Sequence, residues 1–190
     1  MYPRYGKRAF DILIGLALLM GLSWLMLIIW LGYLVTMQFP VIFKQVRIGK
    51  DDVPFVMYKF RTLTSEDRPL QERRFAWGDF LRLTNLDEMP QLWNVLRGEM
   101  SLVGPRPMPI EYGPLFTAEQ RTRHLIKPGI TGYAQVYGKN NLSWEGKFKY
   151  DLEYLKRVSF WTDVIILLKT VILVLSLKGD VSLMEEKFKG

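Results

Sequence analysis

From Ile12 to Phe43 the chain carries no charged side chain, and Ile12 to Val35 is apolar apart from Gly15, Gly21, Ser23 and Gly32. As a straight helix, about 24 residues at ~1.5 Å each reach about 36 Å, enough to cross a hydrocarbon core of about 30 Å. The run belongs in lipid. It is far longer than the roughly 7–15 apolar residues of a secretory signal and no A-x-A-like cleavage site follows, so it reads as retained. Its path is a separate question. Arg4, Lys7 and Arg8 precede it while Lys44, Arg47 and Lys50 follow, a tie under the positive-inside rule. Either the helix spans, or it bends near Gly21 and Ser23, where glycine weakens the ladder and a serine hydroxyl can bond back to a carbonyl. These are weak breakers beside proline, and the residues alone favour the straight span by a small margin.

The rest of the chain has the length of one domain, residues 44–190, after a membrane segment of residues 1–43. Lys and Arg number 26 against 19 Asp and Glu, a net charge of +7, which points to an anionic partner. Nucleic acid is a poor candidate. The cations are scattered among the acids, no run of five or more occurs, and no zinc-finger or RRM signature is present. With no cysteine and a single histidine, His124, thiolate nucleophiles, zinc ribbons and multi-histidine metal sites are excluded and a Ser-His-Asp triad is disfavoured. Catalysis then falls to carboxylates, Lys, Arg, Ser or Tyr.

Alternation in VIFKQVRIG and FVMYKFRTL around KDDVP predicts a hairpin. Ser65 to Arg82 is charge-rich and reads as a loop followed by a solvated helix. LDEMPQLWNVLRG reads as a helix with Leu92, Val95 and Leu96 on one face and Gly98 as its stop. The prolines of SLVGPRPMP force an extended path, Thr117 and Gln120 form a capping box, and KPGITGYAQVYGKNNL is too glycine-rich for regular structure. Ile165 to Leu177 is a short apolar helix, either lying on a membrane face or buried in the core.

Asp87 and Glu88 are adjacent carboxylates before Pro90, at a helix N-terminus. The ordinary role of such an Asp is a cap. The chemical alternative is an Asp nucleophile beside a Glu metal ligand, where backbone N–H groups also favour phosphate. Arg106, between two prolines, presents a stiffened phosphate fork or is merely a surface arginine. Lys59 and Arg61 share one face of a strand and make an anion-binding edge or an amphipathic strand. Lys127 and Lys139 bracket a glycine-containing loop whose backbone N–H groups can receive an anion. GYAQVYGKN is not a P-loop: its glycines are one residue too far apart, and Asn140 stands where Ser or Thr is required.

Over nearly its whole length the chain resembles the bacterial sugar transferases, the small monotopic polyprenyl-phosphate phosphoglycosyl transferases. The resemblance rests on KRAFDILIGLALL, VIFKQVRIG, YKFRT, LDEMPQLWNVLRGEMSLVGPRP and KPGITGYAQVYGKNNLSWEGKFKYDLEYL. It implies transfer of a sugar 1-phosphate from a UDP-sugar to undecaprenyl phosphate with Mg2+. Asp87 matches the family's nucleophile and Glu88 its metal-binding acid. Lys59, Arg106 and Asp151 match further active-site positions, and Arg61, Lys127, Gln135 and Lys139 are the expected substrate-binding residues. The implied fold is α/β, mainly helical with a small β-sheet, on a re-entrant N-terminal membrane helix plus interfacial amphipathic helices. The implied place is the bacterial inner membrane, with membrane lipids as partners and the active site on the cytoplasmic face. Three departures from the family pattern stand out: Ser23 is followed by Trp24 where the family usually has Pro, Tyr137 and Lys139 replace the usual residues of the glycine-asparagine turn, and Glu99 replaces Asp. The short form without a large N-terminal extension and the closing EEKFKG resemble transferases that initiate glycoprotein or surface-glycan assembly, with an N-acetylated or bacillosamine-type sugar as the implied substrate. The sequence does not fix the sugar or the oligomeric state. The alternative is a catalytically inactive, membrane-tethered scaffold of a glycan assembly pathway.

Overall fold

The computed structural model describes residues 2–64, 69–138 and 142–176, together with Phe188. The uncharged run forms two helices, α1 (Lys7–Gly21) and α2 (Ser23–Thr36), bent by 55° at their junction. The straight span favoured by the residues alone does not form. Gly21 contributes no side chain to hold the turn, and the Ser23 hydroxyl donates to the Met20 carbonyl at 2.8 Å, a local bond that competes with an unbroken helix. No single helix among the described residues is long and apolar enough to cross a membrane, whereas the bent pair together has the length and composition.

The expected hairpin follows as β1 (Ile42–Ile48) and β2 (Pro54–Phe60), antiparallel, with Ile42 opposite Phe60 and Ile48 opposite Pro54. The charge-rich stretch yields a shorter helix than predicted, α3 (Ala76–Leu83). Residues 65–68 lie outside the described ones, and Leu70–Arg73 is a separate 3-10 turn after Pro69, which takes an extended ψ of 142°. Helix α4 (Gln91–Arg97) stops as expected at Gly98, where φ is 84°, a conformation that costs glycine nothing.

Within the glycine-rich stretch, β4 (Gly129–Thr131) is a regular strand, paired in parallel with β3 (Ser101–Val103), and Ala134–Gly138 makes a π-helical turn. The glycines allow this packing. A Cβ on Gly129 would lie 2.1 Å from the Gly104 nitrogen, so the backbones meet where any side chain would part them. Among the described residues the fold is therefore mostly helical with two two-stranded sheets.

Helix α5 (Ala118–Arg121) carries the expected capping box. It is followed by α6 (Trp144–Arg157) and α7 (Phe160–Leu175). On α7 the two readings divide by face. Asp163 and Ile166 are buried, while Trp161, Ile165, Leu168, Ile172 and Leu175 form an exposed apolar stripe at the three- and four-residue spacing of one helix side.

Both ends of the helix pair rest on this body. The buried stripe of α1 is Lys7, Asp11 and Gly15. Lys7 donates to Asp163 at 2.6 Å, and the same carboxylate accepts the hydroxyls of Tyr2 at 2.7 Å and Tyr154 at 2.6 Å. Arg8 donates to the carbonyls of Val95 and Leu96 at 2.6 and 2.7 Å, satisfying the C-terminal end of α4. Asp11 accepts from the Ser101 hydroxyl and the Leu102 N–H, both at 3.0 Å. At the far end of α2, Tyr33 is fully buried and its hydroxyl donates to the Arg61 carbonyl. The main core lies between, around Val95, Met100, Val103, Tyr154 and Ile166.

Candidate active site

Asp87 and Glu88 occupy a 3-10 turn, Leu86–Glu88, between α3 and α4, entered through Asn85 at φ 56°. Neither this turn nor α4 has a side-chain cap, so the cap role usual for such an Asp is not the one seen. Strand β2 brings Lys59 to the pair: its ammonium is 2.6 Å from Glu88 Oε1 and 3.9 Å from Asp87 Oδ2. From the loop after β3, both terminal nitrogens of Arg106 reach the same Glu88 oxygen at 3.3 Å. Asn94 sets the register. Fully buried on α4, it accepts from Tyr58 N–H at 3.2 Å and donates to the Val56 carbonyl and to Glu99 at 2.7 Å each, which stitches the helix after Glu88 to the strand that carries Lys59.

This arrangement separates the two carboxylates electrostatically. Burial is the largest influence on Asp87 and raises its pKa to about 6, with Lys59 opposing and Glu88 adding to the rise. Burial also acts on Glu88, but Lys59 and Arg106 outweigh it and hold that pKa at about 2. One carboxylate is thus a fixed anion among cations, and its neighbour is the more basic, a division that suits two different roles. Arg82 of α3 adds positive potential at Asp87. Beside Glu88, Arg47, Met57, Lys59, Gln91, Arg106 and Pro107 line a shallow depression that opens to solvent. Three cations against one carboxylate make it a place for an anion.

The other expected residues are not gathered there. Asp151, expected among the catalytic residues, is buried and pairs with Arg123 at 2.7 Å. Burial raises its pKa, against the pull of Arg123. Arg61 donates to the Pro40 carbonyl at 2.7 Å and lies over the Phe43 ring, at the foot of α2. Lys127 sits at the opposite end of α4: a Cβ on Gly98 would be 3.4 Å from its ammonium and 3.3 Å from Arg8. Burial, then the Arg8 charge, lowers its pKa. The Gln135 amide is buried beside Gly132 with no hydrogen-bond partner for either polar atom. Lys139 lies outside the described residues. Sequence reasoning did not single out Asn94, Arg47 or Arg123.

Two neighbouring carboxylates are also a small donor set for a metal, and no group of three or more metal-ligating side chains occurs among the described residues. That number suits Mg2+, which is commonly held by one or two carboxylates together with substrate phosphates. Glu88 is ionised throughout the physiological range, as a carboxylate that holds a cation must be.

Comparison with known proteins places these residues in context. A family model described as bacterial sugar transferase matches residues 2–177. An uncharacterized sugar transferase, EpsL of Bacillus subtilis, is 44% identical over 179 residues, covering 91% of this chain and 89% of that protein. The UDP-glucose:undecaprenyl-phosphate glucose-1-phosphate transferase of Klebsiella pneumoniae is 38% identical over 181 residues, covering 87% of this chain and 39% of its own length. The undecaprenyl-phosphate galactose phosphotransferase of Salmonella typhimurium is 34% identical over 200 residues, covering 93% and 42%. The chain spans about two fifths of the length of these last two relatives.

Proposed function

The chain belongs to the bacterial sugar transferase family, and from that premise we propose that it transfers a sugar 1-phosphate from a UDP-sugar to undecaprenyl phosphate, the first membrane step of a glycoconjugate pathway. Relatives named for UDP-glucose, galactose and undecaprenyl phosphate supply the substrate classes. The observation that carries the reading is the divided pair: a buried, basic Asp87 beside an ionised Glu88 that is held by Lys59 and Arg106.

In this mechanism an Asp87 carboxylate oxygen attacks the β-phosphorus of the UDP-sugar. The Asp87–phosphorus bond forms as the bond from that phosphorus to the bridging oxygen breaks, and UMP leaves with the bridging oxygen. A phosphate oxygen of undecaprenyl phosphate then attacks the same phosphorus and displaces Asp87, giving undecaprenyl-diphosphate-sugar and the free carboxylate. Two steps avoid bringing two anionic substrates together at once. Lys59 and Arg106 offset the negative charge that gathers around the phosphorus. Mg2+ held by Glu88 would offset the repulsion between carboxylate and diphosphate.

The bent helix pair is read as a re-entrant membrane segment, with α7 lying on the same lipid face. Two features support this: both ends of the pair pack on the body that carries Asp87, and the outward sides of α2 and α7 are apolar. The active site then faces the cytoplasm beside the headgroups, where the lipid phosphate is presented. A panel of UDP-sugars with Mg2+ and undecaprenyl phosphate tests the activity. UMP release with at least one sugar is expected, whereas none with any of them would favour the inactive scaffold.

A further inference from the structure

Arg123 and Asp151 are each 2% exposed. Nε and Nη2 of Arg123 donate to Asp151 Oδ2 at 3.0 and 2.7 Å, and Nη2 also donates to the backbone carbonyl of Arg106 at 2.7 Å. The guanidinium lies 5.9 Å from the Phe116 ring centre and 5.4 Å from that of Phe148. Phe188 packs on both rings and closes this aromatic box. A buried ion pair is by itself a poor source of stability, because desolvation cancels much of the attraction. This one, however, grips the main chain of the residue whose side chain reaches Glu88. Pro105 and Pro107 stiffen that chain on either side, and Arg47 holds the Pro107 carbonyl at 3.2 Å from β1. Fixing the Arg106 carbonyl therefore fixes the direction in which its guanidinium leaves the loop.

We propose that Arg123, oriented by Asp151, is a positioning residue that holds Arg106 on Glu88 and over the anion-binding depression. Asp151 then acts through two other residues and does not touch the reacting atoms. The proposal rests on the transferase reading for its kinetic consequence, but not for its geometric one.

The test is the paired substitution Arg123→Met with Asp151→Leu, which removes both charges and strands neither. UMP release and the rate at which phenylglyoxal labels Arg106, followed by peptide mass spectrometry, are measured together. With wild-type helicity retained, kcat/KM for the UDP-sugar is expected to fall about tenfold or more, as misplacement of a substrate-holding group does. Labelling of Arg106 becomes severalfold faster, and adding Arg106→Ala costs little beyond what that change costs alone. Unchanged labelling and kcat/KM, or losses that simply add to those of Arg106→Ala, would overturn the proposal. If the paired variant does not fold, Arg123→Lys, which keeps the charge but not the fork, is read by the same two measurements. If the wild-type protein releases no UMP, the transferase reading fails alone, and the labelling rates still decide whether Arg123 positions Arg106.

Discussion

Two adjacent buried carboxylates repel each other, and Lys59 is what makes the pair at 87 and 88 tenable. Its ammonium bonds Glu88 and lies within ionic reach of Asp87. Replacing it with methionine keeps the apolar stem but leaves Glu88 with Arg106 as its principal cation and drives the Asp87 carboxylate toward its neutral form. Lys59→Met is expected to lower kcat for UMP release by about a hundredfold or more, the usual loss when one preorganised donor at a reacting phosphate or oxyanion is removed, with far-UV circular dichroism unchanged. At this scale the sequence was informative where the residues lie in short strings of distinctive chemistry: LDEMP, YKFRT and GPRP carry four side chains that do converge. It was silent where a role depends on a distant partner. Arg123 meets Asp151 28 residues on, Asn94 bonds a strand residue 36 positions earlier, and Arg47 reaches a carbonyl 60 positions later. Nothing local marks such pairs.

At the scale of elements, the N-terminal helix pair shows what the charge tie leaves open. Lys7 and Arg8 were counted as a basic flank, but Lys7 is consumed by Asp163 and Arg8 by the end of α4. They are docking contacts that hold the start of α1 against the body of the protein, the arrangement that the proposed re-entrant path requires. The chain has no native cysteine, so single cysteines at Tyr5 and Lys50, both exposed, report topology cleanly. Both should react with an impermeant maleimide from the same side of an oriented vesicle; reaction from opposite sides would establish a span. The KPGITG stretch was misread for a different reason: glycine signals freedom in a sequence, yet here it permits the close approach that builds β4. The hairpin turn makes a second element-scale prediction. His124 Nδ1 is 2.6 Å from Asp52 in the Lys50–Asp52 turn, with Arg121 on the same carboxylate at 3.5 Å. Burial and then the Arg123 charge lower the His124 pKa below its ordinary 6.5, against the pull of Asp52. Such a histidine takes up its proton less readily folded than unfolded, so its contribution to stability is present above about 6.5 and is lost as the pH falls from there toward the folded value. Urea unfolding between pH 7.5 and 5 should show stability falling with acid, and His124→Gln should flatten that part of the profile; an identical slope in the variant would remove His124 as its cause.

For the whole molecule, the positive charge and the apolar surface have separate destinations. The cations that matter converge on Glu88 and its depression, while exposed Trp24, Leu27, Leu31, Leu34 and the outward stripe of α7 supply the apolar area. On the proposed function, the apolar side faces lipid, which suits one soluble, charged donor and one acceptor whose phosphate is fixed at a membrane surface. The proposed transfer turns on an Asp87 carboxylate oxygen as the nucleophile that breaks the diphosphate. The most direct measurement incubates the protein with the UDP-sugar selected in the panel and Mg2+, leaves out undecaprenyl phosphate, and follows UMP together with the mass of the peptide that contains Asp87. The account predicts UMP in an amount not exceeding the enzyme, a mass increase of one sugar phosphate on that peptide, its disappearance on adding undecaprenyl phosphate, and the loss of all three in Asp87→Asn. UMP release that persists in Asp87→Asn would contradict it.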